Sequence, residues 1–244
     1  LFCSLQAQKE RIPSVKKMGK DFKVLCGMVE AHPAPFRHIT EKEFHSLIDK
    51  TREQIQEPMS VMDFYKLVSP IYAAIKDGHS SLRMSATWLK TYRKKNGVFP
   101  YKIYVSEENR MFIIENYSSD ETIPLGSEIL ALNDIPTGTF IENISRYISY
   151  EQEIFRNTII EIEIDFYLLL EFGQLSNIKL EYTNVEKQSH TVNYIPYSNW
   201  KDELEEAEKI RMRKIAANKP YSYEKVKEDV GLLKIYFQIL LLNL

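Results

Sequence analysis

A change of hydrophobic period at Asn96-Gly97 constrains the fold of this chain more than any other feature. Before it, apolar residues recur at helical spacing; after it, they gather into short strand-like runs. Val15, Met18, Phe22, Leu25 and Val29 alternate steps of three and four, which places them on one helix face. His32-Pro33-Ala34-Pro35 ends that helix, because the residue before a proline is pushed out of the helical region. Thr40 and Glu43 make a capping box for a second helix, with Phe44, Leu47, Ile48, Thr51 and Ile55 inward and Pro58 closing it. Ser60 is the natural N-cap of a third, from about Val61, with Phe64, Leu67, Val68, Ile71 and Ile75 at helical spacing. Gly78 suits a left-handed position just past its end. A short fourth helix, from about Ala86 to Lys95, carries Trp88, Leu89 and Tyr92. Residues 14–95 are therefore expected to form an N-terminal helical bundle.

Residues 97–196 are expected to form an α+β domain. Val98–Val105 and Met111–Asn116 have strand composition around the polar turn 106–110. Thr139 and Glu142 predict the start of a helix through Ile148, and an apolar helix from about Glu151 to Phe172 stops at Gly173. On that helix the carboxylates of Glu161, Glu163 and Asp165 fall on the wet face. Asn177–Thr183 and Thr191–Ile195 pair as a hairpin. Residues 197–229 read as a charged, helix-prone connector, and 230–244 open with a strand, Val230 to Phe237.

Composition narrows the chemistry. Glycine supplies only 8 of 244 residues, and neither G-x-G-x-x-G nor a P-loop pattern occurs, which disfavours glycine-rich phosphate loops and gives no cofactor signal. A formal charge of −2 with both signs intermixed lacks the basic footprint of a nucleic-acid binder. His32, His38, His45 and His190 show no metal-ligand spacing, and Cys3 and Cys26 make neither a disulfide framework nor a zinc site; Cys26 reads as a small buried hydrophobe. The closing apolar run is too short for a membrane span. Leu1 to Ala7 read as the end of a signal-peptide core running into a small-residue cleavage site, with Gln8 as mature N-terminus, so the expected location is exported, periplasmic or extracellular.

Asp77-Gly78-His79-Ser80 lies between the third helix and a short strand, and imidazole is the side chain that titrates near neutrality. Further on, Pro124-Leu125-Gly126-Ser127-Glu128-Ile129-Leu130-Ala131-Leu132-Asn133-Asp134 resembles the turn and strand "GD-x-I-L-x-I-N-G" of PDZ domains, with Ser127 in place of Asp and Asp134 in place of Gly. Helix, Asp-Gly-His-Ser and PDZ-like strand, in that order, resemble the front half of the tail-specific (C-terminal-processing) serine peptidases related to the tricorn core. The resemblance runs from about Phe22 to Phe237. It implies that His79 is the general base for a serine on a following domain, which would take that serine's proton and return it to the leaving amine. In the family's Ser–Lys branch His79 is instead structural, a hydrogen-bonded joint between the two domains. Gly78 stands where the histidine-using branch has a hydroxyl.

The PDZ-like segment implies capture of peptide or protein C-terminal segments by strand addition, with the terminal carboxylate on the backbone N–H groups of Gly97, Val98 and Phe99, and with Phe99 or Ile103 lining the side-chain pocket. Pro100 removes one donor from that edge. The alternative for this domain is a scaffold that only packs against a catalytic sheet. No G-x-S-x-G elbow marks a nucleophile. The reading is thus the N-terminal and PDZ-like portion of an exported serine peptidase, inactive as this isolated chain, with the catalytic domain starting at residue 230. The alternative is a stand-alone exported peptide-binding protein without catalysis.

Overall fold

The computed structural model describes residues 12–200 together with the backbone of residues 221–227 and 230–235. Leu1 to Ala7, the run Gln238 to Leu244 and most of the 197–229 connector lie outside the described residues. The chain divides at Ile195/Pro196 into two units. The described residues are α+β, as expected from the change of period.

Three helices build the first layer: α1 (Val15–Glu30), α2 (Glu41–Glu53) and α3 (Val61–Ala73). Each starts on a hydroxyl cap, Ser14, Thr40 or Ser60, and at Thr40 the capping box with Glu43 is complete in both directions. Their shared core contains Met18, Phe22, Phe44, Ile48, Val68, Ile71 and Ile75, with Cys26 buried beside them. Burial pushes the Cys26 thiol above its ordinary pKa, so it is held as the neutral thiol expected of a packed cysteine. The buried face of α3 is wider than the sequence spacing predicts: Tyr65 and Tyr72 join it, while Phe64 and Leu67 are only partly covered.

The stop after α3 also differs from expectation. The helix ends at Ala73, and the left-handed residue is Lys76 (φ 52°), not Gly78. Gly78 answers a different need: a Cβ there would meet the Phe155 ring at 3.2 Å. After an irregular segment, α4 (Ala86–Asn96) ends as expected at Gly97 (φ 80°), where an added Cβ would meet the Ile195 carbonyl oxygen at 2.8 Å.

An antiparallel sheet follows in the order β1-β2-β3-β5-β6, from β1 (Tyr101–Val105), β2 (Met111–Asn116), β3 (Glu128–Leu132), β5 (Asn177–Thr183) and β6 (Lys187–Asn193), with the short β4 (Ile135–Pro136) paired to β3. Tyr101, Ile103 and Val105 alternate inward along β1, with Lys102 and Tyr104 outward. Asn133 and Asp134 are both left-handed (φ 46° and 66°), so they form the two-residue turn between β3 and β4. The helices α5 (Thr137–Ser145), α6 (Glu153–Ile162) and α7 (Ile164–Phe172) cover one face and share its core with Phe140, Ile160, Leu168 and Leu170. The α5 start falls two residues before Thr139 and without a side-chain cap; Thr137 Oγ1 donates instead to the Ile129 carbonyl at 2.6 Å.

The single helix expected over 151–172 is two helices, parted at Glu163 (φ −115°, ψ 28°). On either side of the break a carboxylate turns toward the sheet. Glu161 Oε1 accepts the Val105 N–H at 2.8 Å, and Asp165 Oδ1 accepts the Phe99 N–H at 2.7 Å. These groups do not form a wet face; two of them satisfy donors on the outer edge of β1 and the approach to it. In the second unit Tyr221–Lys227 (β7), expected within the connector, pairs antiparallel with β8 (Val230–Ile235) from Tyr221↔Ile235 to Lys227↔Val230.

Candidate functional site

Asp77 is the centre of the histidine loop. Its carboxylate accepts the His79 backbone N–H at 3.0 Å, the Ser80 hydroxyl at 2.8 Å and His32 Nε2 at 2.9 Å. These bonds, the His79 N–H first, hold the carboxyl well below its ordinary value, at about 2. The backbone N–H of Asp77 donates to Ser149 Oγ at 2.9 Å, which ties the loop to the segment between α5 and α6. His32 Nδ1 accepts the Ala34 N–H at 3.2 Å, so a neutral ring carrying its proton on Nε2 satisfies both partners at once.

His79 is placed differently from His32. Its backbone is fixed by Asp77 while its ring is exposed and makes no hydrogen bond among the described residues. The ring tied down at the joint is that of His32, 45 positions from Asp77 in the chain. Sequence reading missed His32 because a lone histidine before a proline carries no local pattern that announces a distant carboxylate. A second such pair, His190 Nε2 to Asp120 Oδ2 at 2.8 Å, lies at the sheet.

The loop expected to receive a peptide carboxylate has its donors engaged. Gly97 N–H donates to the Arg93 carbonyl at 2.9 Å, Val98 N–H to the Ile195 carbonyl at 2.9 Å, and Phe99 N–H to Asp165. Val98, Phe99 and Ile103 are buried, each 2% exposed or less. In this structure an internal carboxylate, that of Asp165, holds the position on Phe99 N–H where a ligand carboxylate was expected. Burial raises Asp165 to about 6 against the opposing pull of Arg93, whose Nε lies 3.6 Å from Oδ2. Among the described residues no group of three or more His, Cys, Asp or Glu is arranged to hold a metal ion, and no helix is long and apolar enough to cross a membrane.

A cavity of about 280 Å³ opens beside the histidine loop, lined by Leu82, Met84 and Leu89 and by Phe155, Ile159 and Ile162 of α6. Tyr65 also lines it, its hydroxyl donating to the Leu82 carbonyl at 3.1 Å.

No family model and no curated protein matches this chain. Solved structures do. Mature CPAF, a serine protease, shares the fold with a TM-score of 0.50 at 13% identity, over 75% of this chain and 35% of that one. A serine-to-alanine CPAF mutant (TM-score 0.49, 14% identity, 75% and 34%) and mature CPAF complexed with lactacystin (0.48, 14%, 75% and 35%) also match. The chain spans about a third of the length of these structures, and what it shares with mature CPAF is the fold.

Proposed function

We propose that this chain is the helical and PDZ-like portion of an exported serine peptidase of the tail-specific kind, which hydrolyses peptide bonds with a serine supplied by a further domain. The fold it has in common with the serine protease CPAF carries this reading. The histidine loop supports it: an exposed imidazole on a backbone clamped by Asp77 suits a base that must meet a nucleophile from outside its own domain. In this assignment His79 removes the proton from the serine hydroxyl and returns it to the leaving amine. Asp77 acts as a positioning residue through the His79 N–H.

The engaged donors at Gly97, Val98 and Phe99 favour the scaffold role for the PDZ-like domain over carboxylate capture in that loop. The test is fluorogenic peptide hydrolysis by the longest natural product of the gene, with and without His79→Ala. Loss of kcat by about 10²–10⁴-fold at an unchanged melting temperature is the expected result for a removed general base. Full activity in the His79→Ala protein would refute the assignment. The 244-residue chain alone is expected to give no turnover and no serine labelling by a fluorophosphonate probe.

A further inference from the structure

Residues 80–85 have the alternation of a strand without a strand partner. Leu82 and Met84 turn inward, while Ser81, Arg83 and Ser85 are exposed. Among the described residues, the backbone of Ser81–Met84 makes no hydrogen bond except at the Leu82 carbonyl, which accepts from Tyr65. A row of open N–H and C=O groups beside side chains that alternate in and out is a template for another strand. The same four residues form one wall of the 280 Å³ cavity. The lining also includes α6, where Phe155 is 38% and Ile162 65% exposed.

Charge identifies the occupant further. Two charged side chains line the cavity, Arg83 and Glu163. Glu163 already lies 3.6 Å from Arg93. Arg83 has no acidic partner among the described residues; its Nε donates only to Ser81 Oγ at 3.2 Å. The wall therefore offers strand pairing, an apolar hole sized for a bulky side chain, and a guanidinium that calls for a carboxylate.

We propose that an extended peptide strand binds here, pairing with the backbone of Ser81–Met84, sinking one large apolar side chain between Met84 and Ile159, and setting a carboxylate against Arg83. This binding goes beyond the peptidase assignment and does not require His79 to act as a base.

The probe is the fluorescein-labelled peptide Lys-Glu-Val-Thr-Phe-Thr-Val-Glu, titrated by fluorescence anisotropy against the 244-residue chain. Micromolar binding is expected. N-methylation of the alternate amides on one edge should weaken it at least tenfold, while methylation of the other edge leaves it within about twofold, because a strand pairs through one edge only. Ile162→Arg, at an exposed rim position, should cost at least tenfold with no change in circular dichroism. Arg83→Ala should cost several-fold and remove most of the salt dependence. C-terminal amidation separates a terminal carboxylate from a glutamate side chain as the partner of Arg83. His79→Ala should leave the affinity unchanged, so failure here and failure of the peptidase assignment are read separately.

Absence of binding at 1 mM peptide overturns the proposal, as does equal tolerance of methylation on both edges. Octanoate competing as well as the peptide would show a small-molecule site instead. A concentration-dependent dimer lost in Ile162→Arg would show that a second copy of the chain covers the groove.

Discussion

Asp165 is a carboxylate that the fold holds at a cost, and Asp165→Asn measures that cost. The group is 13% exposed, and burial raises it from an ordinary 3.8 to about 6. At neutral pH it is ionised, and keeping it so costs the folded state about 3 kcal/mol relative to an unperturbed carboxyl. The folded state therefore binds this proton more tightly than the unfolded state between roughly pH 4 and 6. Stability from this group is greatest below that window, falls as pH rises through it, and is level above. Asparagine keeps an oxygen for the Phe99 N–H and removes the charge, so it does not titrate. Arg93 retains Glu163 at 3.6 Å. The stability of wild type minus that of Asp165→Asn, from urea unfolding followed by circular dichroism at half-unit steps from pH 4 to 7.5, should fall by about 2.5 kcal/mol and then flatten. The difference cancels the other titrating carboxylates. A difference that is constant with pH, or one that rises, would refute the claim that desolvation dominates over Arg93 at this site.

The other expectations concern the histidine loop and its neighbours. Asp77→Ala should lower stability by about 1–3 kcal/mol, because the Ser80 hydroxyl, the His79 N–H and His32 lose their acceptor, whereas His79→Ala should leave the melting temperature within a degree or two. Asp77 and Asp120, both held at about 2, contribute stability that is present above pH 4 and lost as pH falls toward 2; acid unfolding of Asp77→Asn should show a shallower slope there. Gly97→Ala should cost on the order of 1–3 kcal/mol, since its φ is positive and the Ile195 carbonyl is backbone. Gly78→Ala should cost less, because the Phe155 ring can yield; equal losses in thermal melts would contradict this ranking.

What the sequence revealed was local. The capping box at Thr40 and Glu43, the helix stop at Gly97 and the strand composition of β1 each depend on residues a few positions apart, so one-dimensional spacing suffices to read them. The features that sequence reading missed depend on contacts made by folding. Gly78 looked like a helix stop, but the constraint on it comes from the ring of Phe155, far along the chain. Glu161 and Asp165 looked like solvent-facing charges on a continuous helix until the break at Glu163 turned them onto the N–H groups of Val105 and Phe99. His79 was legible as a residue, while the partnership of Asp77 with His32 was not, since no local pattern links positions so distant.

The two carboxylates beside β1 also bear on how this protein meets copies of itself. A sheet rim usually invites lateral growth, because its outward amides attract the carbonyls of another chain. Here two of those amides face fixed anions, and an arriving carbonyl would meet negative charge as well as a filled donor. Crowded solutions at neutral pH should therefore gain little from stacking sheets along this side. Acidification to about pH 5 neutralises much of the Asp165 charge while leaving its bulk in place. At the Phe99 amide the rim would then resist growth by shape alone, and slow fibrillar assembly on mild acid storage is the behaviour this arrangement foretells.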